Sequence, residues 1–259
     1  MEAGEERYCR MELQYDGTGL HGWAKQSGLP TVEGLLEEAF LTVLGSAPPL
    51  RVAGRTDAGV HARKQVVSLK LPKSVDLHRL RASLNALTPP NIAVLSLTRA
   101  PRGFDARKDA VSRTYRYFLS TQEVVSPFWS RYCWRVAPGL DLERMQTAAS
   151  LVIGRHELTA FTPPDTEHVF FERSIYRCRW RRLGKDLFFL EIEADAFLRH
   201  MVRILVGTMV EVGRRVRDIR DFQELLEGRP REEAGATAPA RGLFLWDVKY
   251  RRPSGSSET

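Results

Sequence analysis

The sequence predicts an α+β protein built on a mostly antiparallel sheet, and three observations carry that reading. Strand-like and helix-like segments are mixed without the strict alternation that a parallel sheet requires. Two long alternating runs, Arg173 to Leu183 and Leu187 to Ala194, are separated only by Gly184-Lys185-Asp186, as in a hairpin. The 259 residues, 43% of them hydrophobic, suffice to bury a sizeable core.

Tyr8 to Tyr15 alternates loosely and reads as a first strand, followed by a glycine-rich loop from Asp16 to Gly22. Thr31 then caps the clearest helix. Val32, Leu35, Leu36, Ala39, Phe40, Val43 and Leu44 recur at three-and-four spacing, and Gly45 stands where a left-handed C-cap belongs. A short strand near Leu50 to Ala53 and another at Gln65 to Leu71 come next. A helix opened by Asp76 ends before Pro89-Pro90, and a strand covers Ile92 to Leu97. The second half repeats this grammar: a strand at Ser112 to Ser120, a helix capped by Asp141, the hairpin, helices at Phe197 to Arg215 and Asp218 to Glu227, and a strand at Leu243 to Tyr250. Two α+β lobes, 1–105 and 106–250, are expected to meet near residue 105. The tail 251–259 has the composition of a disordered segment.

Composition narrows the function classes. No apolar run approaches the roughly 18 residues that a membrane span needs, and the N-terminus lacks the basic start and apolar core of a secretion signal. A cytoplasmic protein with no membrane partner is therefore expected. Cys9, Cys133 and Cys178 are widely spaced and odd in number, which disfavours disulfide scaffolds and zinc modules, and they read as reduced, half-buried fillers. The six histidines, at 21, 61, 78, 156, 168 and 200, form no metal-binding pattern, so no metal is expected. The net charge is +7, from 39 basic and 32 acidic residues, and only seven of the bases are lysine. Arginine's planar fork suits phosphates and base stacking.

The segment Gly54-Arg55-Thr56-Asp57-Ala58-Gly59-Val60-His61-Ala62 carries the most unusual chemistry. Glycines bracket a guanidinium and a carboxylate in a turn at the end of a strand. On spacing alone this also fits an ordinary polar turn. As a set, however, the residues closely resemble the active-site motif of the tRNA pseudouridine synthase A family. Further stretches match in order: Tyr15-Asp16-Gly17-Thr18 with Gly22-Trp23; Asn85-Ala86-Leu87 with Pro90-Asn91-Ile92; Phe104-Asp105-Ala106-Arg107 with Ser112-Arg113-Thr114-Tyr115-Arg116-Tyr117; Ala196-Phe197-Leu198-Arg199-His200-Met201-Val202-Arg203 with Gly207; and Gly242-Leu243-Phe244-Leu245 with Val248 and Tyr250. The resemblance runs from about residue 8 to 250, and collinear motifs of this length are far more specific than a short pattern. Two departures stand out. Ala24 follows Gly22-Trp23 where the family usually has glutamine, and His156-Glu157-Leu158-Thr159-Ala160-Phe161 is a loosened form of another family segment.

The resemblance implies a pseudouridine-synthase fold, two related lobes about a continuous sheet with an RNA cleft between them. It implies isomerisation of uridine to pseudouridine in the tRNA anticodon stem-loop at positions 38 to 40, no cofactor, and a homodimer. It assigns Asp57 as nucleophile, Tyr115 as the contact to the target uracil, Arg203 as the cation beside Asp57, and Arg55 as an RNA contact that helps open the stem. Elementary chemistry agrees with the residue types: an arginine that stays charged keeps a nearby aspartate ionised, and an aromatic ring offers an extruded base a stacking surface. The strand Arg173 to Arg182 sets Tyr176, Cys178 and Trp180 on one face and Arg177, Arg179 and Arg181 on the other, so the arginines form either a solvated row or a track for RNA phosphates. Arg51, Arg63, Lys64, Arg107, Lys108 and Arg113 flank the motifs and suggest charge gathered at the cleft. The competing reading is a noncatalytic RNA-binding protein on the same fold, which would have no need of Asp57.

Overall fold

The computed structural model describes residues 5–166 and 169–251; His168 and the tail from 252 onward lie outside the described residues. The first half contains β1 (Glu6–Tyr15), α1 (Val32–Leu44), β2 (Arg51–Val52), β3 (His61–Pro72), α2 (Leu77–Leu87) and β4 (Ile92–Arg99). The second half contains β5 (Ala110–Ser120), α3 (Pro127–Ser130), β6 (Trp134–Arg135), α4 (Leu142–Leu151), β7 (Gly154–Glu157), β8 (Glu172–Arg182), β9 (Leu187–Ala194), α5 (Met201–Gly213), α6 (Ile219–Glu224) and β10 (Leu243–Tyr250). All ten strands form one sheet in the order β4-β1-β3-β10-β5-β9-β8-β7, with β2 on β3 and β6 on β5. Its pairings are antiparallel except β3 with β10 and β5 with β6. Among the described residues, strands of the two halves pair only at the β3–β10 seam, through Phe244 opposite His61 and Leu245 opposite Ala62.

The caps operate as their residue types dictate. Thr31 accepts from the Gly34 amide, Asp76 from His78 and Arg79, and Asp141 from Arg144, while Gly45 takes the left-handed conformation at the end of α1. One face of the sheet is covered by the helices. Met11, Leu13, Val67, Tyr115, Tyr117, Leu190 and Ile192 share a single apolar cluster with Leu36 and Phe40 of α1, Leu84 of α2, Met145 of α4 and Leu205 of α5. Each such side chain contributes roughly 1.5–3 kcal/mol on leaving water. The three cysteines are reduced and fully buried rather than half-buried.

Helix α5 differs from the expectation of a one-faced helix over 197–215. It begins only at Met201, because His200 adopts a left-handed conformation (φ 60) that turns the chain into the helix. It is buried on nearly every side, with Arg203 and Glu211 the half-buried exceptions. Gly207 explains how the chain passes so close: a Cβ there would lie 1.8 Å from the Ala236 carbonyl oxygen. The short α3, β6 and β7 have no sequence pattern long enough to announce them.

The opposite face of the sheet carries no long helix among the described residues, and it modifies the arginine-row reading in two ways. A bulge between Ile175 and Arg177 turns Tyr176 outward, so Ile175, Cys178 and Trp180 supply the apolar face. Arg177 and Arg179 are tied to acids on β9. Glu191 accepts from Arg116 at 2.7 Å and Arg179 at 2.8 Å, with Arg177 at 3.5 Å. Glu193 accepts from Lys249 and Ser112, each at 2.7 Å. Arg116 also lies over the Trp246 ring, 4.0 Å from its centroid. Burial acts to raise the Glu191 carboxyl, but the hydrogen bonds and charges of Arg179 and Arg116 outweigh it and bring the pKa down to about 2. A carboxylate depressed on folding stabilises the protein above the ordinary carboxyl range and loses that contribution as pH falls through the folded value. Glu191→Gln is therefore expected to remove about 2 kcal/mol of unfolding free energy at neutral pH, after discounting for solvent around the arginines, and the wild-type advantage should vanish near pH 2. Urea denaturation of both proteins across that range measures it; a difference independent of pH would rule out the ionic origin.

Candidate active site around Asp57

The loop between β2 and β3 is held from three directions. Gln65, buried in β3, donates to the Gly54 carbonyl at 2.8 Å and to the Tyr15 hydroxyl at 3.2 Å. Tyr15 in turn meets the Thr56 hydroxyl at 2.7 Å, and burial pushes its own pKa up to about 12, so it remains a protonated hydrogen-bonding group. Trp23 donates its backbone N–H to the Thr56 carbonyl at 3.0 Å. Gly22 permits that approach, with φ 85 and room for no side chain, since a Cβ would sit 2.7 Å from the Thr56 oxygen. Arg113 supplies the third hold. It is buried and donates to the carbonyls of Ala53, Ala110, Asp195 and Arg107. This base, expected to add positive charge to a cleft, is instead an internal strut that ties the entry of the loop to the second half of the chain.

Asp57 emerges from this frame half-buried. Its Oδ2 lies 3.3 Å from Arg203 Nη1 and 3.5 Å from His200 Nε2. Its Oδ1 accepts no hydrogen bond among the described residues. Arg203 is aimed inward from α5 and is fixed independently, because its Nε donates to the Ala238 carbonyl at 2.8 Å while the Ala238 amide donates to the Arg203 carbonyl at 3.1 Å. The side chain thus delivers one guanidinium nitrogen to the carboxylate and another to the backbone, a division that a planar fork allows and an ammonium does not.

Tyr115 lies on the helix-covered face of β5, buried, with its ring packed edge-on to Phe197 at 4.9 Å between centroids. Its hydroxyl makes no hydrogen bond among the described residues. Burial chiefly, then the neighbouring Tyr15 and the Asp57 carboxylate, push its pKa well above the tyrosine range, so the group is a hydrogen-bond donor and not a phenolate base. The structure therefore brings Asp57, Arg203 and Tyr115 into one neighbourhood. Arg55 does not join them: it is exposed, with no ion pair or hydrogen bond among the described residues.

Other flanking bases are also engaged. Arg51 pairs with Asp105 at 3.2 Å and Lys64 with Asp247 at 2.9 Å. Arg177, Arg179 and Arg181 face away from Tyr115 and Asp57, since their neighbours Cys178 and Trp180 are the residues on the helix-covered side. A groove of about 400 Å³ lies at the β3–β10 seam, lined by Arg63, Asn91, Tyr132 and Trp246 among others, and it contains none of Asp57, Tyr115 or Arg203. Two participants had only a faint sequence signal. Phe197 and His200 stand beside Arg203 in one motif, which is the one sequence signal that could have found them.

Comparison with known proteins gives the family. A family model described as tRNA pseudouridine synthase matches residues 148–251, a span that includes Arg203 but neither Asp57 nor Tyr115. Over 245 residues the chain is 40% identical to tRNA pseudouridine synthase A of Chlorobium chlorochromatii (strain CaD3), covering 94% of this chain and 100% of that one. It is 38% identical over 242 residues to the protein of that name from Methylacidiphilum infernorum (isolate V4), covering 93% and 94%. With that of Citrifermentans bemidjiense it shares 36% identity over 246 residues, 95% of this chain and 98% of the relative.

Proposed function

The chain belongs to the tRNA pseudouridine synthase A family, and on that premise we propose that it isomerises uridine to pseudouridine in the anticodon stem-loop of tRNA, at positions 38 to 40, with Asp57 as nucleophile. The observation that carries the reading is the carboxylate itself: half-buried, held at one oxygen by Arg203 and, among the described residues, unpartnered at the other. Isomerisation breaks the bond from C1′ to N1, turns the uracil and joins C1′ to C5, with the C5 proton released to solvent and one proton taken up at N1. A carboxylate that adds to the nucleoside divides this change into smaller steps. Tyr115, buried near Asp57 with its hydroxyl uncommitted among the described residues, is the contact proposed for the extruded uracil, and a base stacked on an aromatic ring recovers roughly 1–3 kcal/mol of the extrusion cost. Arg55, exposed and unpaired among the described residues, would meet a phosphate of the stem, with the lobes 1–105 and 106–250 on either side of the RNA.

The test is an unmodified tRNA transcript carrying tritium at C5 of uridine. Release to water is expected, and replacing uridines 38 to 40 with cytidine should abolish it. Binding without release from several tRNAs would favour the noncatalytic RNA-binding alternative.

The cytoplasm is the compartment that a tRNA substrate implies, and among the described residues no helix is long and apolar enough to cross a membrane. The homodimer is proposed on a surface feature. Val124, Phe128 and Trp129 are 82%, 86% and 43% exposed, with the Trp129 ring 6.4 Å from that of Phe118 in the buried Phe118–Phe189 cluster. Contiguous apolar exposure of this kind is a common mark of an interface. Sedimentation of a stable monomer that retains full activity would overturn it.

A further inference from the structure

We infer that His200 is a second positioning residue for Asp57, holding Oδ2 together with Arg203 so that Oδ1 is the oxygen presented to the uridine. The inference rests on the isomerase reading and goes beyond it, because the motif that carries Arg203 gives no role to the residue one turn before it.

Three observations converge. His200 Nε2 and Arg203 Nη1 approach the same oxygen, at 3.5 and 3.3 Å, and among the described residues the other accepts no hydrogen bond. The histidine contact is slightly longer than a hydrogen bond, which is common for catalytic contacts before substrate binds. Second, His200 has φ 60, a region that non-glycine residues seldom occupy and that costs roughly 1–3 kcal/mol when enforced. His200 is the N-cap of α5 through its carbonyl, which accepts from the Ile204 amide at 3.0 Å, while its side chain makes no cap hydrogen bond and is left for another partner. What the turn does accomplish is to start α5 where residues 200 and 203 reach toward the same carboxylate. Third, the imidazole is held neutral. Burial lowers its pKa, Arg203 and Arg199 push the same way, and Asp57 and Asp165 oppose them without restoring the ordinary value. A neutral ring with its proton on Nε2 donates to Oδ2 without adding a second full positive charge beside the nucleophile. Protonation at lower pH would add that charge and draw electron density from the carboxylate, so the rate should fall on the acid side.

The test compares wild type with His200→Gly, which removes the ring yet tolerates the left-handed backbone, and His200→Asn, which keeps a donor and also tolerates it. Single-turnover conversion of tRNA is followed from about pH 5 to 8, with tRNA affinity and thermal unfolding measured alongside. The glycine variant is expected to be about tenfold slower at neutral pH with unchanged affinity, the loss typical of one hydrogen bond to a charged group. The asparagine variant should recover most of the rate. The acid limb, with an apparent pKa below about 6.5, should disappear from both. Wild-type rate and pH profile in the glycine variant would overturn the inference. A second measurement does not depend on turnover: the imidazole NMR titration of His200 should move to lower pH in Asp57→Asn, and an unmoved titration would equally overturn it. If wild type converts no uridine, the isomerase reading fails, while the titration still decides whether the two side chains are coupled.

Discussion

Asp57→Asn is expected to lower conversion of uridine by at least about 10⁴-fold, the scale on which removal of a catalytic nucleophile acts, while tRNA binds as tightly as before or slightly more so. The substitution preserves size and shape in a side chain that is 26% exposed, and the loop is fixed by Gln65, Tyr15, Trp23 and Arg113 rather than by the carboxylate. The fold should therefore be undisturbed. What disappears is the negative charge and with it the nucleophile. Removing a negative charge near the bound RNA also reduces repulsion of phosphate, which is why affinity should not fall. Tritium release and filter binding with the same preparation report the two effects separately. Turnover at the wild-type rate would eliminate Asp57 as nucleophile.

Arg203→Lys should lose about 10²-fold in single-turnover rate although it conserves the charge. Arg203 performs two tasks at once, donating Nε to Ala238 and Nη1 to Asp57. A lysine has one ammonium and must choose between them. If it follows Asp57, the Ala238 carbonyl loses its donor, at a cost of about 1–3 kcal/mol where water does not replace it. If it follows Ala238, the carboxylate is free to rotate, and a misplacement of roughly 1 Å is enough to account for the predicted loss. Arg203→Met, which removes the charge as well, should be slower still. Full activity in the lysine variant would mean that charge alone suffices and that the double anchorage is idle.

Much of the fold was legible locally. The α1 caps follow from Thr31 and Gly45, and the β8–β9 hairpin follows from two alternating runs about a glycine turn, because capping and strand alternation are short-range effects. The start of α5 was not legible. Phe197 and Met201 keep helical spacing across a stretch whose backbone leaves the helix at His200, and periodicity cannot report a left-handed turn imposed by distant packing. The outward turn of Tyr176 was hidden likewise, since one bulge shifts the alternation and is itself set by the pairing with β9.

For the site, the sequence by itself determined which chemical groups are present, through motifs whose order and length identify the family, and which stretches could be strands or helices to carry them. Only the tertiary structure decided what those groups do to one another. Arg113 became an internal strut, Arg177 and Arg179 were drawn to Glu191 on the far face, and Arg203 was set against a carboxylate 146 positions away in the chain. The physical reason is range. Propensity and periodicity act over a few residues, whereas the partner of a buried charge is settled by which side chains the sheet order brings within a few ångströms once water has been excluded.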